Sequence, residues 1–179
     1  MTAADVIHFW FEEIESRQWW VKDPVFDARL QARFEAVHRA ASRAELFPWR
    51  SAPTGRLAEV IVLDQFSRNM YRDTPQAFAY DALALVLAQE AVAARADREL
   101  ETPRRAFLYM PYMHSESLAI HEQAEKLFSQ PGLAYNLDFE RQHRRILERF
   151  GRYPHRNAIL GRVSTPEEIE FLAAPGSAF

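Results

Sequence analysis

Four times along this chain a capping side chain stands directly before a proline: Asp23-Pro24, Thr74-Pro75, Thr102-Pro103 and Thr165-Pro166. Proline suits the first position of a helix, where its missing N–H was unpaired in any case, and a preceding Asp or Thr oxygen accepts from the next free amides. Thr165 also has Glu168 three residues on, the reciprocal pattern of a capping box. Thr2 with Asp5, Thr54, Ser115 and Asn136 are further candidate caps. The chain has only 5 glycines and no alternating β-branched run bounded by turns, so strands have no support.

Helices are therefore expected over 3–15, 24–43, 55–71, 75–95, 103–112, 115–129, 137–150 and 166–173. Phe26, Leu30, Phe34 and Val37 share one stripe of the second, with Arg29, Arg33 and Arg39 off it. In the fourth, Phe78, Ala82 and Leu85 do the same. Short links imply antiparallel neighbours. The reading is an all-α antiparallel array of seven or eight helices in a single domain over residues 1–179.

Several functions are set aside by composition. With no cysteine, disulfides, thiolate chemistry and Cys-ligated zinc are excluded. A net charge of −3 makes the chain as a whole no polycation, so nucleic acid is not an expected partner. The first ten residues carry Asp5 and His8 without a basic start, and charges interrupt every apolar run before it could span a bilayer. No membrane association is expected, and the cytoplasm is the expected location.

Polar residues in unexpected places supply the candidate site. From Leu57 to Met70, apolar side chains surround nearly the whole helix, as in a central one, yet Asp64 and Arg68 fall inside the apolar face four residues apart. Charge there is expensive unless paired. The two readings are a buried ion pair that fixes helix register, or the floor of a polar pocket. Between Arg141 and Arg162 seven arginines face a single acidic residue, Glu148, with His143 and His155 among them. The stretch Phe150-Gly151-Arg152-Tyr153-Pro154-His155-Arg156-Asn157 breaks the helix and could offer guanidiniums to a carboxylate or phosphate. A solvated basic face is the alternative. His114 and Glu116, between two helices, could do acid–base work or simply pack and complement a helix dipole.

Two Glu-x-x-His pairs, Glu35/His38 and Glu140/His143, together with Glu59 and Glu90, mimic the ligand set of a di-iron bundle. Such spacing is common by chance, and His143 shares a stripe with Phe139, Ile146 and Phe150, so a hydrogen-bonded core histidine is expected and neither metal nor cofactor is.

These segments add up to a resemblance. Leu63-Asp64-Gln65-Phe66-Ser67-Arg68-Asn69-Met70-Tyr71-Arg72, then Phe78 and Asp81, Met110-Pro111 leading to His114-Ser115-Glu116, the stretch from Phe150 to Asn157, and Leu160-Gly161-Arg162 are similar to the domain of unknown function 924 family. Trp19-Trp20 and Asp23 fit it too, and the similarity covers nearly the whole chain. It implies a TPR-like, all-helical fold and no established activity. It adds Asn69 and Arg72 to the candidate residues, which become Asp64, Arg68, Asn69, Arg72, His114, Glu116, Arg152, His155, Arg156 and Asn157. These are expected to converge on an anionic small molecule or peptide, with a hydrolase built on the same His, Glu, Asp and Arg side chains as the alternative.

Overall fold

The computed structural model describes residues 1–175 and 177. Among them are eight helices and no strand: α1 (3–13), α2 (Pro24–Ser42), α3 (53–70), α4 (Asp81–Ala93), α5 (Thr102–Met113), α6 (Leu118–Phe128), α7 (Ala134–Phe150) and α8 (Pro166–Leu172). Short 3-10 turns fill several links, Phe47–Ser51 among them. The caps form where chemistry allows them. Thr2 and Thr165 close capping boxes, and Asp23 accepts from the amides of Val25 and Phe26. Thr74 and Thr102 do not cap with their side chains: Pro75 opens only a 3-10 turn, and α4 begins later, at Asp81. Thr54, Ser115 and Asn136 are not caps either; α3, α6 and α7 start after Ala52, Ser117 and Leu133.

The most apolar helix is the central one. Leu57, Ala58, Val60, Ile61, Val62, Leu63 and Phe66 of α3 are all 0% exposed, and α1, α2, α4 and α5 pack around it. Gly55 lets it start against its neighbour, because a Cβ there would collide with the backbone carbonyl of Trp49. Phe9, Trp10, Phe26, Phe34, Phe66 and Phe107 interlock as stacked, tilted and edge-on rings in the same core.

Two features of the backbone aim the polar residues. At Val62–Phe66 the helical turn of α3 widens to the π form, a distortion frequent at functional positions, and Asp64 sits within it. Gly151 ends α7 in the left-handed conformation, with φ of 70°, and turns the chain into the Pro154–Arg156 turn. A smaller apolar cluster of Ile146, Leu147 and Tyr153, with Phe150 and Phe171, ties α8 to the end of α7. Among the described residues no helix is long and apolar enough to cross a membrane.

Candidate functional site

Asp64 is 1% exposed and sits in the wide turn of the central helix. Its Oδ1 is 2.7 Å from His114 Nδ1 and 3.2 Å from an Arg68 guanidinium nitrogen. Its Oδ2 accepts from the Gln65 amide at 2.5 Å. Burial by itself would raise this carboxyl, but Arg68, His114 and Gln65 together hold it below the ordinary carboxylate range. Asp64 is thus an anion, and the histidine nitrogen facing it must carry the proton. That sets the tautomer of His114: Nδ1–H donates, and Nε2 is left as an acceptor. Nε2 makes no hydrogen bond among the described residues, on a side chain that is 17% exposed. Burial, then the nearby Arg68 guanidinium, push the His114 pKa down, so the ring is neutral at physiological pH.

Helix ends bring the other charges here. His114 caps the C-terminus of α5. Asp81 opens α4 and grips Arg68 through both oxygens, at 2.9 and 3.0 Å. Arg156, from the turn after α7, reaches the same Asp81 at 3.2 Å and the His114 carbonyl at 2.9 Å. Phe78 lies beneath both guanidiniums, 5.6 Å from Arg68 and 4.6 Å from Arg156. Burial and the neighbouring Arg68 lower the Arg156 pKa from its usual value. The centre therefore holds two carboxylates, two guanidiniums and one neutral imidazole.

Glu116 stands beside this centre. It accepts from the Tyr153 amide at 2.7 Å and from Arg162 through both oxygens, at 2.7 and 2.9 Å. Burial opposes its ionisation, but Arg162 and the Tyr153 amide win and lower its pKa. The His155 ring is 5.7 Å from that of Tyr153. Its pKa is lowered to about 4 by burial and by Arg156.

The expected convergence is thus partial. Asp64, Arg68, His114 and Arg156 meet, with Glu116 and His155 at their flank. Arg152 points elsewhere and pairs with Glu168 at 2.7 and 2.8 Å, anchoring α8. Asn157, 0% exposed, donates to Ser164. Asn69 and Arg72 both bind Asp27 of α2 at 2.7–2.9 Å. Sequence reasoning left Asp81 and Arg162 out of the candidates. Asp81 stood in the family-like motif with Phe78, and that membership was the one signal that could have found it.

The metal-like spacing resolves into ordinary partners. His38 bonds Ser67, Glu59 binds Arg50, Glu140 meets His121, and His143 bonds the Phe139 carbonyl. Among the described residues no three His, Asp or Glu are placed to hold one ion. Two shallow surface concavities lie away from the centre, one lined by Glu122, Glu125, Lys126, Ser129 and Arg144, the other by Ile146, Phe150 and Phe171 with Gln142, Arg145 and Arg149.

A family model described as "Bacterial protein of unknown function (DUF924)" matches residues 6–176. Among solved structures, the "Structure of Protein of Unknown Function ATU0120 from Agrobacterium tumefaciens" is 40% identical, superposes with a TM-score of 0.90, and each chain is covered to 96%. No curated protein matches the sequence significantly.

Proposed function

The chain belongs to the DUF924 family, and we propose that it is a binding protein that takes an anionic small molecule, or an acidic peptide end, at the Arg68–His114–Arg156 surface. One observation carries this reading: the Nε2 of a neutral imidazole, oriented by the buried Asp64, makes no hydrogen bond among the described residues in a centre that also holds two guanidiniums. An ion pair that only locked helices together would need no such acceptor. Arginine supplies planar, permanently charged donors suited to carboxylate or phosphate oxygens. A TPR-like arrangement of the helices, as the resemblance implies, would present this surface at one end of the array.

A thermal-shift screen of phosphates, carboxylates and acidic peptides tests it. An anion should raise the melting temperature of the wild type and of Arg152→Ala, less so at high salt, and should leave Arg156→Gln unmoved. No shift for any anion, or equal shifts for both variants, would count against the site.

The Asp64–His114 pair favours a second reading, a hydrolase. Nε2 would take a proton from water as the water oxygen attacks an anionic ester held by the arginines, and would return that proton to the leaving oxygen. Release of nitrophenol from anionic nitrophenyl esters by the wild type, lost in His114→Gln, would support it.

A further inference from the structure

The identity of the ligand, which rests on the anion-binding reading, is constrained by the charge balance of the surface. Asp64 and Asp81 balance Arg68 and Arg156 one for one, and Asp81 already spans both guanidiniums. Its side chain is only 18% exposed. An anion that took the arginines would leave Asp81 largely buried without a counter-charge, which is costly. A plain carboxylate or phosphate can therefore bind only at a cost that a ligand carrying its own cation avoids. A ligand that brings its own cation restores the balance.

The acceptors for such a cation are present. His114 offers Nε2, and Asp81 offers its carboxylate once the arginines turn to the ligand. A donor for the anion also stands unused: Arg156 Nε–H, on a side chain 8% exposed, is buried without an acceptor among the described residues. We infer that the ligand is a zwitterion of the α-amino acid type, its carboxylate on Arg68 and Arg156, its ammonium on Asp81 and His114 Nε2. The close spacing of carboxylate and ammonium in a free amino acid suits a centre where Asp81 lies within 2.9 and 3.2 Å of the Arg68 and Arg156 guanidiniums. The two ends of a longer peptide are too far apart to do the same.

The test uses the wild-type protein and so does not depend on any variant folding. Thermal shift and titration calorimetry would compare the free L-amino acids, each with its N-acetyl and its carboxamide form, and inorganic phosphate. At least one free amino acid should bind, and its two blocked forms should each bind at least about tenfold more weakly. An N-acetyl form or phosphate that binds as well as the free amino acid would overturn the zwitterion and leave the anion-binding reading standing. A carboxamide that binds as well would overturn both, as would the absence of any binding. Asp81→Asn adds a second readout: it should erase the preference for the free over the N-acetyl form, and an unchanged preference would remove Asp81 from the recognition.

Discussion

Two carboxylates, Asp27 and Asp64, are held by arginines at the C-terminal end of the central helix and just beyond it. Asp27 of α2 receives Asn69 and both donors of Arg72, which closes that group on itself. Asp64 receives Arg68, Gln65 and His114, and there the histidine keeps an acceptor without a hydrogen bond among the described residues. The residue types are similar and the outcomes differ. A closed group ties two helices together. An open one, with a tautomer set from inside, ties helices and also presents chemistry to a ligand. Geometry at the last atom separates the two, since burial and charge alone look alike in both.

Removing the carboxylate should show the contrast most strongly. Asp64→Ala removes a buried carboxylate from the partly buried Arg68 and should cost about 3–5 kcal/mol in chemical denaturation. Asp27→Ala strands the more exposed Arg72, whose side chain is 28% exposed, and should cost about 1–3 kcal/mol. Equal losses would dissolve the distinction between the two groups.

Acid sharpens it next. Burial lowers the pKa of His114, takes that of His155 to about 4 and that of His143 to about 3. The unfolded chain binds these protons near the ordinary imidazole value of about 6.5, and the native state does not. Stability should therefore be fully present above pH 6.5 and fall as pH drops toward 4, by up to about 1.4 kcal/mol per pH unit for each of His143 and His155, with His114 adding in the same direction. Denaturation at pH 7.5, 6.5 and 5.5 measures the slope. His114→Gln should reduce it, whereas Asp27→Ala should not. A flat profile, or a slope untouched by His114→Gln, would contradict the burial of a neutral ring.

The smallest stability change is expected for His114→Gln itself at pH 7.5. The glutamine amide can still donate toward Asp64, so the loss should stay below about 1.5 kcal/mol. Ligand-induced stabilisation should nevertheless disappear. A large stability loss with binding intact would make His114 a brace.

Much of this was legible in the chain. The Asp-Pro and Thr-Pro pairs marked helix starts because proline chemistry is local, and Asp23 and Thr165 cap as expected. Asp64 and Arg68 stood out because a charge amid Leu57, Val60 and Ile61 needs a partner. Pro75 misled: its φ suits an α-helix and a 3-10 turn equally, and the α-helix starts only at Asp81, after Phe78 has come to lie against Arg68 and Arg156. The partners of the arginines were not legible, because each depends on which helix end arrives where. Arg152 and Arg156 are four residues apart, yet one faces Glu168 and the other Asp81. The wide turn that carries Asp64 leaves no mark in the hydrophobic pattern at all.

The open acceptor at His114 can be observed directly, without any ligand. Nitrogen NMR of the labelled imidazoles at pH 7 distinguishes the two neutral tautomers from the imidazolium. The expected result is a neutral His114 with its proton on Nδ1 and a bare Nε2, persisting as the pH is lowered to 6. A His114 that is doubly protonated at pH 7, or that carries its single proton on Nε2, would contradict the open site and return the cluster to a purely structural role.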